Sequence, residues 1–200
     1  MSATEPGLRE RKKARTRRAI VRATLELTLE QGFAAATIPQ IAERADVAPR
    51  TVSLYFPHKE EIVFAGADAA LDRLVARLSD GPGDLVDRLR AWLTDEASQS
   101  DHDDLAQLRY RAIALDRDLR TRDRVLMEAA EEKIAAAVAD ELGERPDGVG
   151  PRAFAAATLG MLTSVRDGFA AGDAGIDAAA ELDRGLAFVR GGLAALRGRG

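Results

Sequence analysis

The chain has 200 residues, of which 46% are hydrophobic and 31% charged, with no cysteine and a formal net charge of -4. That composition excludes intrinsic disorder as the default and allows one domain, or a small domain joined to a larger one. It also removes disulfides, thiolate nucleophiles and cysteine-ligated metals, as suits a reducing compartment. The N-terminus is polar and then basic, without the apolar segment of a signal peptide, and no run reaches the length of a membrane span, so a cytoplasmic protein is expected.

The net charge conceals a partition. Residues 1 to 60 carry 11 Lys and Arg against 7 Asp and Glu, a balance of +4; the remainder, 18 against 26, carries -8. In RERKKARTRR, residues 9 to 18, seven of ten positions are basic. Such an arm suits a polyanion, because cations that neutralise phosphates release condensed counterions. Alone, it is equally well a solvated terminus.

Apolar residues recur at three- and four-residue spacing throughout, and β-branched runs are scarce, so the expected fold is all-α. The first predicted helix, Arg11–Gln31, puts Ile20, Ala23, Thr24 and Leu27 on one side and stops at Gly32. Thr37 is a good N-cap for a second helix, Ile38 to Ala45, and Gln40 completes a capping-box pattern. After the turn Asp46-Val47-Ala48, a third helix opens with Pro49 at its first position and runs from Arg50 to Phe56. It is too short to persist alone, since isolated helices below about 12 residues are marginal in water. Val52 and Tyr55 or Phe56 point inward, leaving Arg50, Thr51, Ser53 and Leu54 outside.

A fourth helix is expected from Lys59 to Ser79, ending at Asp80-Gly81-Pro82-Gly83. Further helices are read over 84–98, 103–119 and 121–142. After the loop GERPDGVGP a helix opened by Pro151 closes near Gly172, and a last one spans Asp177 to Arg197.

Short helices separated by a three-residue turn form a helix-turn-helix, whose second helix lies in the DNA major groove. The stub is folded by its neighbours, and its outer side chains are free to meet bases. Arg50 has the fork that suits guanine O6 and N7, and Thr51 can reach a phosphate or a thymine methyl. Arg15 and Arg18 suit a neighbouring minor groove or phosphates. His58 and His102, the two histidines, have no nearby ligand partners, so no metal is expected, nor any cofactor.

In order, Gly32-Phe33, Thr37, Ile41-Ala42-Glu43, Ala45-Asp46-Val47, Thr51-Val52, Tyr55-Phe56-Pro57 and Lys59-Glu60 resemble the DNA-binding region of the TetR family of bacterial transcriptional regulators, over about a quarter of the chain. Asp46 stands where that family usually has glycine, and Ser53 where it often has tyrosine. The resemblance implies a headpiece at 1–60 and a regulatory and dimerisation domain at 61–200. It implies that Thr37, Ile38 and Pro39 begin the helix that grazes the backbone, that Pro49, Arg50, Thr51, Ser53 and Leu54 approach bases, and that Tyr55, His58 and Lys59 anchor phosphates. For Tyr55 core packing is an equal alternative.

It further implies a homodimer on an operator of double-stranded DNA and a small-molecule inducer. The last two helices are candidates for the interface, through Phe154, Leu162, Val165 and Phe169 on one and Leu186, Val189 and Leu193 on the other, although an intramolecular core is as good a reading. Trp92, Leu93, Leu108, Tyr110, Met127 and Met161 are candidates to line a pocket, with Arg109 or Arg111 meeting an anionic group. LDRDLRTRD, residues 115 to 123, resembles C-terminal domains of actinobacterial members, some of which respond to acyl thioesters, so the inducer is expected to be apolar or acyl-type. The rival reading is a helical-bundle enzyme or small-molecule-binding protein without a DNA role. No nucleophile elbow, phosphate-binding loop, dinucleotide fingerprint or paired-histidine spacing supports an enzyme, and GPG at 81–83 and GVG at 148–150 follow no strand.

Overall fold

The computed structural model describes residues 7–99, 104–171 and 178–197, which form ten helices and, among the described residues, no strand. They are α1 (Leu8–Gln31), α2 (Ile38–Arg44), α3 (Pro49–Tyr55), α4 (Lys59–Val63), α5 (Ala67–Ser79), α6 (Leu85–Gln99), α7 (Asp104–Leu115), α8 (Arg117–Leu142), α9 (Val149–Ala171) and α10 (Ala178–Arg197). Contacts divide the chain into two compact units: the chain up to Ala65 with Asp104–Leu119, and the remainder. The first unit therefore recruits α7 from far along the sequence, which apolar periodicity could not announce.

In the first unit α1 packs against α2, α4 and α7. Ile20, Val21, Leu25, Ile41, Val52, Phe56 and Ile62 form its core with Ala112, Ile113 and Leu119. Burying each large side chain contributes roughly 1.5–3 kcal/mol, which is how elements as short as α2, α3 and α4 persist. Thr24 and Thr28 also sit inside, where their hydroxyls donate to the carbonyls of Ile20 (2.9 Å) and Thr24 (2.8 Å). A buried hydroxyl satisfied one turn back carries little desolvation cost.

Two breaks differ from the sequence expectation. The helix expected over Lys59–Ser79 is interrupted at Gly66, whose φ of 91° is left-handed, a conformation glycine adopts without a Cβ clash. Carbonyls released there are collected by Arg109, whose Nε donates to the Val63 oxygen (2.7 Å) and Nη2 to that of Ala65 (3.3 Å). The helix expected over 103–119 ends at Leu115, because Asp116 caps the next one: its Oδ1 accepts from the N–H groups of Asp118 (3.0 Å) and Leu119 (3.1 Å). Its Oδ2 accepts from the Phe33 N–H at 2.9 Å, tying the end of α7 to the turn after α1.

The second unit contains α5, α6, most of α8, α9 and α10. Leu74, Leu78, Leu85, Leu89, Ile134, Val138, Phe154, Ala155, Leu186, Val189 and Leu193 form its core. Arg88 donates to the Leu78 oxygen (2.9 Å) and to Glu141 (2.6 Å), and Arg166 pairs with Asp123 at 2.8 Å. Met161 lies so closely over Gly185 that an added Cβ would strike its side chain, which sets the approach of α9 to α10. The GVG motif at 148–150 lies at the start of α9, where the Gly150 N–H donates to the Glu144 carboxylate (3.0 Å).

Asp116→Ala removes the acceptor of three N–H groups, and a loss of about 2–3 kcal/mol is expected in a urea titration followed by circular dichroism. Asp116→Asn, which keeps one acceptor oxygen, should fall between that variant and the wild type. A loss below about 0.5 kcal/mol for Asp116→Ala would show that water replaces the network at no cost.

Candidate functional site

The site begins with the capping box at α2. Gln40 donates its N–H to the Thr37 hydroxyl (3.4 Å) and accepts from the Thr37 N–H (2.9 Å), as the Thr-x-x-Gln spacing requires. The Thr37 hydroxyl also donates to Gln40 Oε1 at 2.7 Å, so this side chain is engaged in the cap. Ile38 is half-buried against the core, and Pro39 is exposed in the first turn.

The turn between α2 and α3 is a Schellman motif. Asp46 stands at φ 54°, the sole non-glycine at positive φ among the described residues; its N–H donates to the Glu43 oxygen (3.1 Å) and the Val47 N–H to that of Ala42 (3.0 Å). Asp tolerates this region better than most residues because its short side chain can hydrogen-bond locally. Val47 then packs on the core, and Pro49 opens α3 without a side-chain N-cap from Ala48.

α3 is anchored by Val52, fully buried, and by Phe56 just past its end, while Tyr55 is half-buried. The opposite face carries Arg50, Ser53 and Leu54, all exposed, with Thr51 half-buried between the faces. Leu54 leaves 81% of its surface in water. No acid of this unit forms an ion pair with Arg50 among the described residues, so its guanidinium edge is available.

Arg15, Arg18 and His58 are exposed. Lys59 has a role inside the headpiece: its ammonium donates to the carbonyls of Phe33 (2.7 Å) and Ala36 (2.9 Å) and lies 4.2 Å from the centre of the Phe33 ring. Two of its three N–H donors thus brace the loop between α1 and α2. Arg44 ties α2 to α1 by donating to Glu30 at 2.6 Å, and this hydrogen bond holds the Glu30 carboxyl below the ordinary carboxylate range. The tie is present near neutrality and lost as acid protonates the carboxylate. Arg17, not singled out by the sequence reading, lies over the Phe56 ring.

The residues read as a pocket fall into different units. Leu108, Arg109 and Tyr110 lie on α7 in the first, where Leu108 packs on the core and Arg109 holds the carbonyls at the end of α4. Trp92, Leu93, Met127 and Met161 lie in the second. Two of the five N–H donors of Arg109 are thus engaged by backbone oxygens. Arg111 is exposed on the same helix.

Of the residues read as a dimer interface, four follow the intramolecular alternative. Phe154, Leu186, Val189 and Leu193 are 2–6% exposed within the second unit's own core, Leu162 packs against that core and Val165 is half-buried. Phe188, on the other side of α10, is 74% exposed. Helical periodicity identifies an apolar face, yet α9 and α10 carry enough small and apolar residues for two, and Phe154, Leu186, Val189 and Leu193 mark the one that is buried. The Phe169 side chain and His102 lie outside the described residues. No cluster of His, Asp or Glu that could hold a metal occurs among the described residues, and none of their helices is long and apolar enough to cross a membrane.

Residues 20–65 match the family described as bacterial regulatory proteins, tetR family, and residues 83–194, more than half of the chain, match the MftR C-terminal domain. The chain belongs to the TetR family. It is a TetR-type transcriptional regulator, and regulators of this family are DNA-binding proteins without enzymatic activity. Over 77 residues it is 43% identical to the HTH-type transcriptional regulator TcmR of Streptomyces glaucescens, a stretch covering 38% of this chain and 34% of that protein. The match thus spans about a third of that relative's length. Among solved structures, the chain is similar to NalD, the secondary repressor of the MexAB-OprM multidrug efflux pump in Pseudomonas aeruginosa, with a TM-score of 0.63 and 18% identity over 91% of this chain and 97% of that one. It is also similar to the TetR-family repressor FadR of Thermus thermophilus in complex with lauroyl-CoA, with a TM-score of 0.55 and 25% identity over 88% and 94%.

If Asp46 is held in the left-handed region by the turn, Asp46→Gly should raise the stability of this TetR headpiece by up to about 1 kcal/mol, and Asp46→Val should lower it by about 1 kcal/mol or more. Thermal melting of the two variants checks both signs.

Proposed function

We propose that this chain is a ligand-responsive repressor that binds a pseudo-palindromic operator as a homodimer and is released by a small-molecule inducer. The observation that carries the reading is the exposed face of α3, where Arg50, Ser53 and Leu54 stand outward on a helix whose other face is buried. Arg50 supplies a bidentate donor for a guanine edge, and Leu54 and Thr51 supply apolar contact for thymine methyl groups. Pro39, Tyr55, His58, Arg15 and Arg18 supply backbone contacts, which position the protein without reading sequence.

A single α3 reads few base pairs, so useful specificity calls for two copies spaced by about one helical turn of DNA or a multiple of it. The outer side of α9 and α10 supports self-association. Ala153, Ala156 and Gly160 recur along exposed α9, and Phe188, Gly191, Gly192 and Ala195 are exposed on α10. Small residues permit close helix approach, and Phe188 is a large anchor of the kind that dominates interface energy.

For the inducer, the second unit holds three polar atoms buried without a hydrogen-bond partner, the Arg88 Nε, the Trp92 Nε1 and the Thr158 hydroxyl, beside its apolar core. An orphaned buried polar atom costs about 1–3 kcal/mol, which a polar group of a bound molecule would recover. An apolar or acyl-type ligand with one polar end fits this combination, and the lauroyl-CoA complex of the Thermus thermophilus relative supports the acyl class. Release then follows as a population shift. A ligand favouring a state in which the two α3 helices cannot dock together needs a differential affinity of only a few kcal/mol.

Duplexes selected from a random pool by the full chain should converge on a two-fold-related pair of half-sites. On that operator Arg50→Ala should lose about 1–3 kcal/mol of binding and relax preference at one base pair per half-site. Binding equal to wild type would remove Arg50 from base reading. Phe188→Arg should convert a dimer to a monomer by light scattering at micromolar concentration and abolish binding to the two-half-site duplex; an unchanged dimer would place the interface elsewhere.

A further inference from the structure

Arg17, one of the seven basic residues between 9 and 18, stands on an aromatic ring: its Cζ lies 4.3 Å from the centroid of Phe56. The platform is rigid. Phe56 is 2% exposed, its N–H donates to the Val52 oxygen at 2.9 Å, and it directly follows Tyr55, the last residue of α3. Arg17 itself is exposed, and it lies three and four residues ahead of Ile20 and Val21, the first fully packed turn of α1. Its backbone is therefore held by the core, while residues 7 to 15 are exposed on every side.

A guanidinium stacked on a ring is engaged through its π face and keeps its N–H groups in the plane, directed outward. No carboxylate forms an ion pair with Arg17 among the described residues, so those donors are not committed within the protein. An arginine in water must give up much rotamer freedom to hold a phosphate, whereas this one is already ordered beside the end of α3. Planar, bidentate donors are the best match among side chains to a phosphodiester.

We propose that Arg17 is a phosphate-binding residue of the DNA interface, and that Phe56 orders it so that a backbone phosphate of the half-site is seated beside the C-terminal end of α3. The inference rests on the DNA-binding reading above and adds a contact to it. Because Phe56 is also the residue that locks α3 to the core, this seat and the base-reading face share one support. The phosphate contact thereby sets where α3 comes to rest along the groove. The contact carries no base preference of its own.

The test uses the full chain and a duplex selected by the wild type, with fluorescence anisotropy over a series of salt concentrations. Arg17→Met keeps apolar cover over Phe56 and removes the charge; Arg17→Ala removes both; Arg17→Lys keeps the charge and weakens the stack. Arg17→Met and Arg17→Ala should each weaken binding roughly fivefold at about 0.15 M salt and flatten the log–log salt slope by about 0.9, for selected and scrambled duplexes alike. Arg17→Lys should keep the slope and bind about two- to threefold more weakly than wild type. If Arg17→Met and Arg17→Ala match the wild type in affinity and slope while the wild type still prefers its selected duplex, the assignment of Arg17 is overturned and DNA binding stands. If Arg17→Lys matches the wild type in affinity, the ordering role of Phe56 is overturned. If the wild type shows no preference among duplexes at low salt, the DNA-binding reading falls, and this inference with it.

Discussion

The burial of Val52 and Phe56 against α1 and its neighbours is the contact on which the headpiece depends. α3 has seven residues, no side-chain N-cap and too little length to persist alone. Two side chains, one fully buried and one 2% exposed, bring it onto a preformed surface. By the usual burial coefficients they contribute roughly 3–6 kcal/mol together, enough to offset the missing cap of about 1 kcal/mol. The division of labour within α3 follows: Val52 anchors it, Thr51 and Tyr55 are half-buried, and Arg50, Ser53 and Leu54 are left outward.

Three charged side chains do for the loops what hydrophobic burial does for the helices. Lys59 donates to the carbonyls of Phe33 and Ala36, Arg109 to those of Val63 and Ala65, and Asp116 accepts from the N–H of Phe33. Each meets backbone groups that a turn or helix end leaves without an intrahelical partner. Phe33 is held from both sides, its N–H by an acid and its carbonyl by a base, with its ring under the same lysine. Fixing this loop fixes the capping box that begins only four residues later, and through α2 it fixes the entry to α3.

These braces mark the limit of what the sequence discloses. The Thr37–Gln40 capping box, the stop at Gly32, the turn at Asp46 and the inward pair of α3 were all legible, because each is written in neighbouring residues or in a 3.6-residue period. The ties of Arg109 to Val63 and Ala65 and of Asp116 to Phe33 were not, since these partners lie 44 to 83 positions away and any exposed-looking charge can serve as well for a ligand as for a carbonyl. Gly66 was passed over inside a periodic stretch, because a glycine in a helical pattern costs only about 1 kcal/mol and need not end it. The inner and outer faces of α9 and α10 could not be told apart by pattern either. Alanine and glycine surround both, and only packing of Phe154, Leu186 and Val189 selects the one that is buried. Arg17 was hidden within a run of like residues, none distinguishable from the rest until Phe56 was placed beside one of them.

The charge partition gains a physical meaning beside this geometry. A basic surface concentrated in the first sixty positions, at +4, is attracted to DNA, whereas the remaining residues, at -8, are repelled by it. In the proposed function, nonspecific affinity is thereby confined to the segment assigned to base reading. The attraction is screened over about 8 Å at physiological salt, so it acts mainly between side chains already near the phosphates. In the proposed function, specificity rests on the few donors at the surface of α3. A screened attraction would hold the headpiece near any duplex, while a seven-residue helix held by its own core would decide at which sequence it remains.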